Sequence, residues 1–81
     1  MFGALVAVAD ESRWKMLKRI SEGAVCACKL PAHIGISQPA VSQHLKVLLE
    51  AGLIRKRKDG AKRIYSLSRR GAKVLADVSR W

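Results

Sequence analysis

No run in this chain is long and apolar enough to cross a membrane. The apolar opening, Met1 to Ala9, spans nine residues, against the ~20 that a transmembrane helix needs. It has neither a basic flank nor a small-residue cleavage pattern, so it does not read as a secretion signal, and the expected compartment is the cytoplasm. Cysteine is scarce, with Cys26 and Cys28 the two present. Thiols separated by one residue make poor disulfide geometry and suit a reducing compartment, so both read as free. The usual catalytic signatures are missing: no Cys-x-x-Cys on a βαβ pattern, no carboxylate pair in a plausible cleft, no Gly-rich phosphate loop. An enzyme, a thiol oxidoreductase included, is therefore not expected, nor is a small-molecule substrate. No repeat, low-complexity tract or linker divides the 81 residues, and one domain, 1–81, is expected. Acidic residues are few as well: six stand against sixteen Lys and Arg, a net charge of +10. That excess favours a polyanionic partner.

The charge is uneven, net +2 over residues 1–52 and net +8 over residues 53–81. Residues 2–8 suggest a short apolar helix. Asp10 suits the N-cap of a helix over 11–21, with Trp14, Leu17 and Ile20 at helical spacing and Gly23 as its stop. A short helix over about 27–34 follows, in which Pro31 is comfortable at N1 if the helix starts at Leu30. Ser37 caps a helix over about 38–51 that buries Val41, Leu45, Leu48 and Leu49 on one face, and Gly52 ends it. Leu53 to Lys58 and Lys62 to Leu67 read as strands around an Asp59-Gly60 turn signal, with Tyr65 and Leu67 toward the core. The last segment, 69–81, is a helix with Leu75, Val78 and Trp81 near one side. The fold class is mainly α with a small β-hairpin, in α-α-α-α-β-β-α order. Two helices joined by a tight turn at Gly35 and followed by a basic hairpin make a winged helix-turn-helix, with the helix-turn-helix at about 27–51 and the wing at about 53–67.

In that arrangement the helix after Ser37 faces a DNA major groove. Gln38 and Gln43 suit bidentate pairing with adenine, and Ser42 can donate or accept. Lys46 suits a phosphate, and Ser37 reads as cap, phosphate donor or both. His44, at the edge of the apolar face, is either a base reader or a packed, hydrogen-bonded histidine. The wing holds Arg55, Lys56, Arg57, Lys58, Lys62 and Arg63. Of these, Arg57, Lys58, Lys62 and Arg63 are the expected contacts to the minor groove or flanking phosphates. The competing explanation is a solubilising surface on an edge strand. A membrane-surface protein would instead need its charge on an amphipathic helix.

Several segments resemble the ArsR/SmtB family of metal-responsive repressors. Ala9-Asp10-Glu11-Ser12-Arg13 is similar to the family's Ala-Asp-Pro-Thr-Arg. Val25-Cys26-Ala27-Cys28-Lys29-Leu30 is similar to its Leu-Cys-Val-Cys-Asp-Leu, and Gly35 through Leu48 follows its Gly-Ile-Ser-Gln-Pro-Ala-Val-Ser-Gln-His-Leu-Lys-x-Leu. Ala51-Gly52-Leu53-Ile54 and Tyr65-Ser66-Leu67 match too. The resemblance implies a homodimer built from the first and last helices, here about 2–8 and 69–81, with Leu75, Val78 and Trp81 at the dimer surface. The alternative for Leu75, Val78 and Trp81 is packing within the protomer's own core. The resemblance also implies double-stranded operator DNA as the partner. The chain departs from the pattern in an abbreviated first helix, in Lys29 where the family has Asp, in Pro31, and in a last helix without the Asp/His and His/Glu pairs of zinc-type members.

Cys26 and Cys28 are the expected sensor. Soft thiolates take thiophilic ions such as arsenite, cadmium, zinc or copper(I). In a regular helix their side chains point about 200° apart, so they converge on one ion only near a helix end or in a turn. The family's arsenic sensors use three sulfurs and this chain has two; His33 is a weak third candidate, and a partner chain or a small thiol could equally complete the set. The alternative is a cysteine pair acting as small hydrophobes. The function expected is a homodimeric repressor released from its operator by a thiophilic ion, with no required cofactor. The alternative is a repressor of the same fold, constitutive or controlled by a partner, with no metal sensing.

Overall fold

The computed structural model describes residues 10–78. The expected helix over 2–8 and Trp81 lie outside them. In chain order come α1 (Glu11–Ser21), β1 (Val25–Cys26), a 3-10 turn (Ala27–Lys29), α2 (Leu30–Ile34), α3 (Gln38–Glu50), β2 (Ile54–Asp59), β3 (Lys62–Leu67) and α4 (Arg69–Val78). The winged helix-turn-helix is present, with one strand more than the sequence suggested. No helix among the described residues is long and apolar enough to cross a membrane.

The helices begin where a side chain can accept an otherwise unpaired backbone N–H. Asp10 accepts from the Arg13 amide at 3.1 Å and starts α1. Ser37 accepts from the Ala40 amide at 3.3 Å and starts α3. The segment expected as one helix over 27–34 is a 3-10 turn followed by α2, and Pro31 falls in the first turn of α2, where its missing N–H costs nothing. Gly35 ends α2 at φ 82°, a left-handed value that a side chain would resist. α3 ends in a Schellman arrangement: the Leu53 amide donates to the Leu48 carbonyl and the Gly52 amide to the Leu49 carbonyl, each at 3.0 Å. Leu48 and Leu53, the hydrophobic partners of that motif, are both fully buried.

Met16, Leu17 and Ile20 of α1, Leu30 of α2 and Val41, Leu45 and Leu48 of α3 form the core with Val25, Leu53, Ile54 and Tyr65. Trp14 is only half-buried, and Met16 takes the place that the helical spacing had assigned to it. Burial of each such side chain contributes about 1.5–3 kcal/mol. α4 is tied to this body by Ser68. Its hydroxyl donates to the Gly52 carbonyl at 2.7 Å and accepts from the Gly71 amide at 2.9 Å. Gly71 lies so close to the Leu53 carbonyl and to Leu67 that no Cβ fits there.

The sheet is antiparallel in the order β1-β3-β2. β1 pairs Val25 with Tyr65 and Cys26 with Ile64. β2 and β3 pair from Ile54 opposite Leu67 to Asp59 opposite Lys62. Asp59 therefore belongs to the strand, and Gly60-Ala61 makes the two-residue loop. Gly60 has φ 64°, and no non-glycine residue described has positive φ. That sign pattern fits a type II′ hairpin, in which glycine occupies the first central position.

Candidate nucleic-acid interface and thiol pair

α3 buries Val41, Leu45 and Leu48 and leaves Ser37, Gln38, Ser42, Gln43 and Lys46 exposed. Gln38, Ser42, Leu45, Lys46 and Leu49 fall at helical spacing and form one stripe along it. This stripe is one wall of an open groove of about 590 Å³, and Lys56, Lys62 and Arg63 of the hairpin form the other. Cys26, Ala27 and Cys28 line it as well. The structure thus brings together the helix, the wing and the cysteines that the sequence had singled out separately. Arg57, Lys58 and Gln43 are exposed but lie outside the groove lining. His44 is half-buried, with Nδ1 3.4 Å from the Arg13 guanidinium, the arrangement of the packed histidine.

Past Ile54 every residue of β2 is exposed, so both sides of the arm meet solvent. Lys58 stands directly opposite Arg63. Like charges across an antiparallel pair disfavour it, and a bound anion relieves that repulsion. Asp59 opposite Lys62 offsets part of it at the tip.

The cysteines escape the helical geometry that would splay them. Cys26 is extended, at φ −71° and ψ 138°, and caps the 3-10 turn that holds Cys28. Their Sγ atoms come within 2.8 Å. Both thiols are free; Cys26 is half-buried and Cys28 exposed. The hydrogen bond shared with the Cys28 sulfur, together with the Cys28 backbone N–H, holds the Cys26 thiol below its ordinary value, and the Lys62 ammonium assists. The same shared proton pushes Cys28 up. Cys26 lies on β1, which is hydrogen-bonded to the wing strand β3, and Cys28 lies in the 3-10 turn immediately before α2.

His33 does not join the thiols. α2 carries it away from them, and it lines a different groove with Lys15, Lys18, Arg19 and Glu22. Among the described residues no group of three or more His, Cys, Asp or Glu is placed to hold a metal ion. At α4, Val78 is half-buried, and half-buried Leu75 packs partly against the protomer's own core.

Sequence reading missed three features. Lys56 reaches the groove because it pairs with buried Tyr65; the period-two alternation from Ile54 marks that side. β1 is two residues long, too short for any periodicity to announce. Ser68 as the cap of α4 was legible, since a serine three residues before a glycine amide is a capping pattern.

The family model described as "Bacterial regulatory protein, arsR family" matches residues 10–56. A putative arsenical resistance operon repressor of Halobacterium salinarum is 44% identical over 63 residues, covering 75% of this chain and 53% of its own length. An arsenical resistance operon repressor of Staphylococcus aureus is 43% identical over 61 residues, covering 75% of this chain and 59% of its own. The chain therefore spans little more than half the length of these two relatives. The crystal structure of NolR from Sinorhizobium fredii superimposes with a TM-score of 0.86 at 32% identity, over 96% of this chain and 79% of NolR. The chain belongs to the arsR family of bacterial regulatory proteins.

Proposed function

We propose that the protein is a sequence-specific DNA-binding repressor that acts as a homodimer in the cytoplasm and leaves its operator when a thiophilic ion binds Cys26 and Cys28. One observation carries this reading: base-reading side chains of α3, phosphate-seeking side chains of the wing and two converging thiols line a single groove. In the duplex complex α3 enters the major groove. Gln38, Ser42 and Gln43 read base edges, Ser37 and Lys46 hold phosphates, and His44 orients the helix through Arg13. The wing places Lys56, Arg57, Lys58, Lys62 and Arg63 along the neighbouring backbone or minor groove. Two-fold symmetry then calls for a near-palindromic site with half-sites one or two helical turns apart. α4, with Leu75 and Val78, supplies dimer surface, which a domain this small needs for stability.

The thiols fit a soft ion in kind and direction, and fall short of the three sulfurs or four ligands of a closed site. A bound ion draws both sulfurs onto one centre and removes a proton from each. Because Cys26 is laddered to β3 and Cys28 leads into α2, that change acts on the wing and the helix-turn-helix together. Release needs only a difference in affinity between the two states, about 1–3 kcal/mol. The relatives' naming as arsenical resistance repressors supports trivalent arsenic as the first ion to test.

The test is a gel shift on the DNA upstream of the protein's own coding sequence, with and without arsenite, cadmium, zinc and copper(I). The expected result is specific binding, relieved by at least one ion in the parent and by none in Cys26→Ser/Cys28→Ser. Equal responses in parent and double variant contradict the sensor assignment, and binding no tighter than to random duplex contradicts the repressor assignment.

A further inference from the structure

We infer that the sugar–phosphate strand dividing the major from the minor groove of the bound duplex passes over Cys26 and Cys28, so that DNA and any group carried on these sulfurs compete for one space. This rests on α3 and the wing gripping one duplex, and adds to that reading the path of the strand. The first observation is topological. In B-form DNA a single sugar–phosphate strand separates a major groove from the adjacent minor groove. A helix in the first and a hairpin arm in the second therefore hold that strand between them, and an arm that stops at the backbone holds the same strand. Here the space between α3 and the arm is the open groove of about 590 Å³. Cys26 and Cys28 line it between the two walls' polar side chains.

The second observation is charge. Lys46, Lys56, Lys62 and Arg63 line the groove, and among the described residues no carboxylate does. Cys26 pairs with Ile64, and Lys62 lies two residues along β3 on the same side of the sheet. Its ammonium acts on both thiols. A cation that a phosphate seeks is thus the thiols' own neighbour. The third observation is exposure. Cys28 is exposed and Cys26 half-buried, so the sulfurs open onto the space the strand takes. A substituent on either sulfur projects into that path. Its block needs no movement of α3 or β1. It is steric for any substituent and electrostatic as well for a negative one, because like charges a few ångströms apart repel. By the same geometry a bound duplex shields the thiols.

The test is a charge series of constant size. The full chain is alkylated at both cysteines with iodoacetamide, iodoacetate or 2-bromoethylamine, which leave neutral, negative and positive groups, and intact mass confirms complete reaction. Affinity for the DNA upstream of the coding sequence and for random duplex is then measured across a range of salt. The aminoethyl form should bind tightest and the carboxymethyl form weakest. At low salt the carboxymethyl form should fall below the carbamidomethyl form by roughly tenfold on both duplexes, and the gap should close as salt rises. Cys28→Lys, Cys28→Asn and Cys28→Asp repeat the series without reagent at an exposed position. In the unmodified chain, saturating duplex should slow alkylation of both thiols several-fold. Equal affinities of the carboxymethyl and carbamidomethyl forms, with Cys28→Asp equal to Cys28→Asn, overturn the path of the strand. Thiol reactivity unchanged by saturating duplex overturns it too. A charge order that persists while no ion releases the operator sinks the sensor assignment alone. Release by an ion without any charge order sinks the strand's path alone.

Discussion

The two walls of the groove are held in opposite ways. α3 is capped by Ser37, closed by the Schellman turn at Gly52, and pinned by Val41, Leu45 and Leu48, each at most 2% exposed. β2 has one buried residue, Ile54 at its base, and five exposed ones beyond it. The helix is positioned by packing, and its polar residues are few and spaced. The hairpin is positioned by its ladder to β3, and its charge is crowded enough to set Lys58 against Arg63. Reading a base edge needs a side chain fixed to a fraction of an ångström, whereas neutralising a phosphate needs charge within reach. In the proposed function, sequence discrimination falls to the packed wall and salt-sensitive grip to the exposed one.

Substitutions can break that contrast. Leu48→Ala leaves a cavity beneath α3 and should cost about 2–5 kcal/mol of stability in urea unfolding. Gly71→Ala forces a methyl group against the Leu53 carbonyl, at the joint where α3 hands over to the wing and α4. It should cost about 1–3 kcal/mol, and more if the joint does not yield. Lys58→Ala, on the exposed arm, should change stability by no more than about 0.5 kcal/mol. A wing variant as destabilising as Leu48→Ala would mean that the hairpin is part of the packed body.

The packed wall was the legible one. Val41, Leu45 and Leu48 recur at helical spacing, Ser37 and Gly52 punctuate them, and each signal is local in the sequence. The exposed wall was legible as charge and as a hairpin. Its inner side was less so, because Lys56 faces the groove by virtue of pairing with Tyr65, a relation made by the fold. Trp14 yielded its core place to Met16 because spacing alone does not fix the angular centre of a buried stripe. The cysteine geometry was legible only as a condition, that the pair must leave the helix to converge. β1 meets that condition through a ladder to residues almost forty positions away. His33 shares the segment with the cysteines in sequence, and α2 parts them in space.

The smallest expected effect is at the N-cap of α1. The backbone N–H of Arg13 donating to Asp10 lowers its carboxyl below 3.8. A carboxyl whose folded pKa is depressed adds stability above its unfolded value and loses it as pH falls through the folded value. Asp10→Asn keeps an acceptor and removes that titration. The difference in melting temperature between parent and variant should be constant at neutral pH and shrink below about pH 4; a constant difference down to pH 2 would assign the cap no electrostatic part.

The most direct test measures operator affinity, random-duplex affinity and salt dependence together for two double variants. Gln38→Ala/Gln43→Ala should collapse the ratio of specific to random binding and leave the salt slope in place. Lys58→Ala/Lys62→Ala should lower the slope of log K against log salt by roughly 1.8 and leave the ratio nearly unchanged. If the glutamine variant keeps its operator preference, or the wing variant keeps its full salt slope, α3 and the hairpin do not share one duplex in the way this groove requires.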